Sequence, residues 1–306
     1  MKTARQIRHA VEYGAVRLTL GMAGTLPIGV ARAIGASLGT LAFALRIRRE
    51  VSVENIVRAL GVSPREATRI ARRSYENLGR GFMDFAAFKR WSRDEFLSQV
   101  TIEGAEFLSA ARKAGHGAVI VASHFGSWEM GGAAMPALGF PTSFVVGEQS
   151  NARVDEVTND LRRAQGSGII TRASALKKVL TALRRNELVG LLADQDARKG
   201  GIVVDFLGRP ASTVRGPALF AIRARCPIIP LTVHREGKRH RVVFDAPLWP
   251  DPAQDEEASV LQLTRGYSDV LSRRIREHPD EYFWPHRRWK SATAQLAKAQ
   301  WSAESA

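Results

Sequence analysis

Apolar positions along the chain fall into three regimes. In the first, residues 14 to 45 read "GAVRLTLGMAGTLPIGVARAIGASLGTLAFAL". The run from Leu18 to Ala31 is interrupted by Pro27 and stopped by Arg32, and a second run covers Ala33 to Leu45. Neither reaches the about 20 residues that a helix needs to span a bilayer. One span through both would bury Arg32 near the membrane centre, at heavy cost. No small-residue cleavage site leads into a polar mature sequence, which argues against a signal peptide. The pattern predicts two helices broken at Pro27. They are either ordinary helices on a core or amphipathic helices in a membrane interface, with Arg17, Arg32, Arg46, Arg48 and Arg49 near the headgroups. The short runs and basic flanks favour the interface.

The second regime, residues 50 to 98, has helical spacing. Ser63 is placed as an N-cap, Pro64 as the first helical residue and Glu66 three after the cap. Ile70, Tyr75, Leu78, Phe82 and Phe85 recur at helical intervals behind them. From about residue 100 the pattern changes again. "GAVIVAS", "TSFVVGE", "LVGLLAD", "IVVDFLG", "PIIPLTVHRE" and "RHRVVFDAPL" read as strands. "VDEVTNDLRRAQG", "SALKKVLTALRRNE" and "EASVLQLTRGYSDVLSRRIREHP" read as helices. Alternation of this kind predicts βαβ units. The expected fold is therefore α/β: a mostly parallel mixed sheet flanked by helices, with N-terminal membrane-associating helices. Residues 1–49 form the N-terminal segment, 50–291 the α/β domain and 292–306 a polar tail. A chain of 306 residues can bury the core this needs.

Charge changes the picture of partners. Lys and Arg number 45 against 30 Asp and Glu, a net +15. Such a surface attracts nucleic acid, anionic lipid or an acidic carrier. The single cysteine, Cys226, excludes an internal disulfide, has no metal-ligand spacing and reads as a core filler. Neither G-x-x-x-x-G-K-[ST], C-x-x-C nor H-E-x-x-H occurs, so nucleoside triphosphate and zinc chemistry lack support, and no cofactor or metal is expected.

Candidate chemistry sits where core strands stop. In "VASHFGSWEM", residues 121 to 130, a buried strand gives way to His124, small residues and Glu129. Five residues on one helix are about 140° apart, so the two side chains meet only if His124 lies at the strand end. Gly126 and Ser127 supply the turn and a candidate N-cap, with Glu129 on the first helical turn. A histidine oriented by a carboxylate is a general base near neutral pH. No serine or cysteine stands in a nucleophile-elbow context, so such a base activates a substrate hydroxyl. A histidine satisfied in the core would leave the same pattern. Asp194, Gln195 and Asp196 follow another strand, at the edge where open α/β sheets bind ligands. Thr213 and Gly216 lie in the loop region beyond. In "PDEYFWPHRRWK", His286, Arg287 and Arg288 alternate with aromatics, which suits phosphate groups beside lipid or a nucleic-acid patch.

"SHFGSWE", "LADQD…DFLGRPASTVRGPALFAIRARCPIIPL" and "EYFWPHRRWK", in that order, resemble the bacterial lipid A late acyltransferases, the lauroyl and myristoyl transferases of the lysophospholipid acyltransferase superfamily. The resemblance runs from about residue 14 to 291. Actinobacterial phosphatidylinositol mannoside acyltransferases share the H-x4-[D/E] core. The resemblance implies acyl transfer from an acyl carrier protein or coenzyme A thioester to a hydroxyl of a lipid A-type glycolipid. It implies no metal, and attachment to the cytoplasmic face of the bacterial inner membrane, an anionic surface; the thin supply of exposed-looking aromatics outside the C-terminal cluster argues against nucleic acid as a partner. Carried over residue by residue, His124 is the general base, Glu129 its partner, and Asp194 the functional aspartate of a D-x-D pair with Asp196. The family's arginine falls on Arg162, with Arg163 the near alternative. Gln195, Asp196, Thr213, Gly216, His286, Arg287 and Arg288 are the expected substrate-binding residues. Where relatives often have Asn-Pro, this chain has Asn151-Ala152, which leaves the arginine register open. The Pro27 break favours an anchor lying on the membrane. Two other readings use the same residues: this chemistry on a mannosylated phosphoinositide or lysophospholipid, and a non-catalytic basic membrane-binding protein.

Overall fold

The computed structural model describes residues 2–292; the expected polar tail from 293 onward lies outside them. Four helices open the chain: α1 (Lys2–Thr25), α2 (Ile28–Ala44), α3 (Arg49–Leu60) and α4 (Pro64–Ala86). The break between α1 and α2 falls at Leu26-Pro27, as the proline requires. The Ser63 hydroxyl caps α4 by accepting the Glu66 N–H at 3.2 Å. Then follow α5 (Arg93–Ser98), β1 (Val100–Glu103), α6 (Ala105–Lys113), β2 (Ala118–Ala122), α7 (Trp128–Ala137), β3 (Thr142–Val146), α8 (Ala152–Ala164), β4 (Gly168–Thr171), α9 (Ala175–Arg184) and β5 (Leu188–Leu192). The remainder is β6 (Ile202–Phe206), β7 (Arg209–Thr213), α10 (Gly216–Ala224), β8 (Ile228–Glu236), β9 (Arg239–Phe244) and α11 (Glu256–Glu277).

Seven strands form one sheet in the order β1-β9-β8-β2-β5-β3-β4, parallel except for the antiparallel β8–β9 pair. The expected α/β architecture is therefore present. β2 is buried along its whole length, and its alternation sorts the core. Val119 and Val121 join one apolar cluster with Ile56, Ala71, Phe220 and Tyr267; Ile120 and Ala122 join another with Met130, Leu161 and Phe244. Helices cover both faces, which is why the central strands read as unbroken apolar runs. "IVVDFLG" departs from expectation. β6 pairs only with β7, as a hairpin outside the main sheet. Its turn, Leu207-Gly208, has positive φ at both residues, the geometry of a tight two-residue hairpin.

α4 is the spine joining the N-terminal helices to the sheet. α2 lies so close to it that a side chain at Gly35 would strike the Gly79 carbonyl, and one at Gly39 the Tyr75 carbonyl. Arg32 was expected at the headgroups. Instead it is buried on the inner face of α2, its Nε 2.5 Å from Asp84 of α4. The fully buried Asp84 also accepts from Arg235 Nη2 at 2.7 Å and faces His240 Nε2 at 3.0 Å. An isolated carboxylate there would be costly to bury, and three cationic or donor groups offset that cost. Burial opposes the anion, but His240, Arg32 and Arg235 outweigh it and hold the carboxyl down to about 2. The outer face of α2 is apolar too: Val30, Leu38 and Leu41, with Leu45 just beyond its end, are all about half exposed or more. No single helix among the described residues is long and apolar enough to cross a membrane; α2 and α3 together pass that test of length and composition, bent by 91°.

Candidate active site

Strand register places the first two site residues. β2 and β5 are parallel neighbours, with Ala122 opposite Leu192. Two residues beyond each partner come His124 and Asp194, side by side at the carboxyl edge of the sheet. The Ala193 N–H donates to the Ala122 carbonyl at 2.9 Å, extending the ladder one step towards them. Asp194 then accepts twice from His124, at Oδ2 from the backbone N–H (3.0 Å) and at Oδ1 from Nδ1 (2.8 Å). Burial works against the Asp194 anion. The imidazole, its hydrogen bonds and Arg288 outweigh that and hold the carboxyl below its ordinary range. An ionised carboxylate only accepts, so the ring proton sits on Nδ1 and Nε2 carries the free lone pair. Burial also favours the neutral ring, yet Asp194, and after it Glu129, draw the histidine above its ordinary range.

This corrects the expected pairing. Asp194, not Glu129, is the carboxylate bonded to the imidazole, because the register of β2 on β5 decides which groups meet and sequence spacing does not. Glu129 lies on the first turn of α7 and grips Arg162 of α8: its Oε2 accepts from Nε at 3.0 Å and its Oε1 from Nη2 at 2.6 Å. Such a two-point pair fixes the guanidinium plane. Arg162 Nη1 donates to Asn159 Oδ1 at 2.8 Å, and the guanidinium lies 5.6 Å from the Phe85 ring centre. Arg163 points away, exposed and paired with Asp160. Of the two arginines, Arg162 is therefore the one that contacts Glu129.

The loop between His124 and α7 is held from the far end of the chain. Phe283 N–H donates to the His124 carbonyl at 2.9 Å, and Gly126 N–H to the Glu281 carbonyl at 2.8 Å. Gly126 has φ of 56°, and any side chain there would collide with the Val233 carbonyl. The Ser127 side chain makes no capping bond, contrary to expectation. Trp128 and Phe283 wall the imidazole, with ring centroids 5.1 and 6.0 Å away. Behind Asp194 lies the buried Tyr282 hydroxyl, pushed well above its ordinary range by burial and by Asp194. Nothing in the sequence pattern singled out Tyr282. What remains is a basic nitrogen, His124 Nε2, at a sheet edge, with an anion behind it and a fixed guanidinium on the neighbouring helices. That arrangement can take a proton from a hydroxyl and shelter developing negative charge.

The family model for bacterial lipid A biosynthesis acyltransferases matches residues 1–291. The chain belongs to that family. Among relatives of this acyltransferase, a phosphatidylinositol mannoside acyltransferase of Mycobacterium tuberculosis (strain CDC 1551 / Oshkosh) is 24% identical over 255 residues, 81% of this chain and 79% of the relative. The lipid A biosynthesis lauroyltransferase of Escherichia coli (strain K12) is 24% identical over 276 residues, 87% of each chain. The lipid A biosynthesis palmitoleoyltransferase of the same organism is 23% identical over 272 residues, again 87% of each. The family implies an acyl donor and a glycolipid acceptor.

Other expected contact residues of the acyltransferase fall into two groups. Gln195 is exposed beside the site, its Nε2 3.5 Å from His124 Nε2. Arg287 is exposed as well. The rest are tied into the protein. Asp196 donates its N–H to His286 Nε2 at 2.9 Å and accepts the Ser291 N–H at Oδ2, 3.1 Å away. His286 therefore presents an acceptor nitrogen there, and burial draws it below its ordinary range, so it is no phosphate-binding cation. Arg288 is buried, donating to the Ser212 carbonyl and to Thr213 Oγ1, both at 2.6 Å. Thr213 is fully buried, and Gly216 opens α10 beside Phe220. Trp284 and Trp289 are core residues. Apart from the exposed Arg287 and Lys290, the "EYFWPHRRWK" segment is thus an internal strut and not an exposed basic and aromatic patch. Its aromatic anchors seek the core, and Arg288 follows to satisfy the β7 backbone.

Proposed function

We propose that the protein moves a fatty acyl chain from an acyl carrier protein or coenzyme A thioester to a hydroxyl of a lipid A precursor-type glycolipid. His124 is the general base. The observation that carries this reading is the doubly bonded Asp194–His124 pair, which leaves the Nε2 lone pair unprotonated beside the carboxyl edge of the sheet. The acceptor hydroxyl gives its proton to Nε2 as its oxygen attacks the thioester carbonyl. Asp194 holds the tautomer and steadies the imidazolium, a device typically worth about 10² to 10⁴ in rate for the base as a whole. Glu129 orients Arg162, whose charge favours the anionic intermediate or an acceptor phosphate. The thiolate leaves and recovers the proton from His124, so no covalent enzyme intermediate is needed.

The reading includes a place of work: the cytoplasmic face of a bacterial inner membrane, bound peripherally or monotopically. The exposed leucines of α2, Ile47 beyond them and the exposed Arg46 and Arg48 support it, together with the net +15. Apolar side chains enter the interface while arginines meet anionic headgroups. Lipid mass spectrometry of cells with and without the gene tests the acceptor. Loss of one acyl chain from a lipid A-type glycolipid is the expected result. Loss from a mannosylated phosphoinositide would move the same chemistry to that acceptor, and an unchanged lipid profile would overturn both.

A further inference from the structure

We propose that the Gln195 carboxamide is a catalytic hydrogen-bond donor, closing the oxyanion site opposite His124. The inference rests on the thioester reading above and adds to it the residue that receives the charge. Three observations lead to it. Gln195 directly follows Asp194, so the strand ending that fixes the imidazole also fixes this side chain's origin. Its Nε2 stands 3.5 Å from His124 Nε2. With the ring proton committed to Asp194, that imidazole nitrogen can only accept, so the amide faces it with N–H. Arg162, another donor at the site, turns one N–H from each of its three nitrogens to a protein oxygen, on Glu129 and Asn159. Trp128 and Phe283 present ring walls to the imidazole. Gln195 thus brings a side-chain donor within reach of the reacting nitrogen.

The donor is displaced in use. In the resting chain the Gln195 N–H occupies the lone pair that must take the proton. An acceptor hydroxyl bound at Nε2 takes that position and frees the amide. Its oxygen forms a bond to the thioester carbon, its proton passes to Nε2, and the carbonyl π pair moves onto the carbonyl oxygen. The freed Gln195 N–H donates to that oxyanion. Collapse re-forms the C=O bond and breaks the C–S bond. The thiolate leaves with the electron pair and takes the proton from the imidazolium, giving ester and thiol. A donor freed when the acceptor binds, and bonding most strongly to the full oxyanion, lowers the barrier more than it tightens ground-state binding.

The test is steady-state acyl transfer by the full chain, from lauroyl-coenzyme A to a glycolipid acceptor in detergent, for wild type, Gln195→Ala and Gln195→Glu. Gln195→Ala is expected to lower kcat by about 10² to 10³ with KM for both substrates little changed. Gln195→Glu keeps the size, removes the donor and adds a charge. It is expected to fall at least as far and to shift the acidic limb of the rate profile to higher pH, because a second carboxylate raises the imidazole. A residue that merely binds substrate would raise KM and spare kcat, and that result would overturn the proposal. So would Gln195→Ala retaining more than a third of wild-type kcat. Absence of wild-type turnover from both lauroyl-coenzyme A and its acyl carrier protein counterpart overturns the thioester reading and this inference together; wild-type turnover with indifferent variants overturns Gln195 alone.

Discussion

His124→Ala and Asp194→Asn remove different atoms from one device and should fail alike. Alanine deletes the base. Asparagine keeps the shape of Asp194 but offers an N–H to Nδ1, which drives the ring proton to Nε2, the nitrogen that must stay free. Each is expected to lower kcat by about 10² to 10⁴, and the double variant should fall little further, because the pair acts as a unit. In the wild type the imidazole titrates above its ordinary range, and it must be neutral to work. Transfer should therefore rise with pH through that raised value, and a pH–rate profile reads it directly. An Asp194→Asn variant with wild-type kcat would remove the dyad. At this scale the sequence pointed to residues that the fold gathers at one sheet edge, but to a different pairing between them. His124, Glu129, Arg162 and Asp194 all stand at the site, but H-x4-E spacing suggested a local contact. The pairing that forms depends on the register between β2 and β5, which no local spacing encodes.

Elements carry the site through one long helix and one late segment. α4 touches α2 at Gly79, places Asp84 among its cationic partners and sets Phe85 beneath Arg162. The segment from Glu281 to Phe283 grips the loop after β2. Burial pushes the Glu281 carboxyl up to about 7, with Asp280 adding to it and Arg235 and Arg80 opposing. A carboxyl raised in the folded state holds a proton there that the unfolded chain has released. Its contribution to stability is complete below the unfolded value of 4.5 and is lost as pH climbs through about 7. Glu281→Gln mimics the protonated form at every pH. Its stability advantage over wild type should grow between those values, by at most ~3 kcal/mol, and then level off. Denaturant titrations at pH 5 and 8 measure this, and a pH-independent difference would refute it. Long periodic elements such as α4 and α11, and the apolar strands β2, β5 and β8, were legible because burial writes a period into the sequence. The short edge strands β1 and β4 were not, since four residues of which only one is buried carry no clear pattern. The "EYFWPHRRWK" strut was misread because composition does not reveal which way an arginine turns.

For the whole molecule, the proposed attachment to a membrane can be tested on α2. Removing residues 1–49 is a poor probe, since it tears Arg32 from Asp84 and strips α4 of its partner; breaking such a buried pair costs about 3–5 kcal/mol by itself. Leu38, Leu41 and Leu45 are 48%, 52% and 65% exposed, so polar substitutions there should disturb folding little. The triple Leu→Ser variant is expected to keep its melting temperature and to lose salt-resistant binding to vesicles containing phosphatidylglycerol. Each leucine forfeits about 1.5–3 kcal/mol of insertion, while the charge attraction left behind is screened over about 8 Å at physiological salt. Sedimentation at low and high salt separates the two contributions, and undiminished binding at high salt would exclude α2 as the anchor. The grip of Phe283 and Glu281 on the loop at His124 also has a bearing on synthesis. A ribosome makes the β2 end of the site early and the residues that hold it near the close of translation, and β9 must likewise arrive before β1 gains its parallel neighbour. Pairings so distant in sequence form slowly and late. While the chain is still being made, α1 and α2 are complete long before the centre can be assembled, so the site closes only once the last strut residues have joined it.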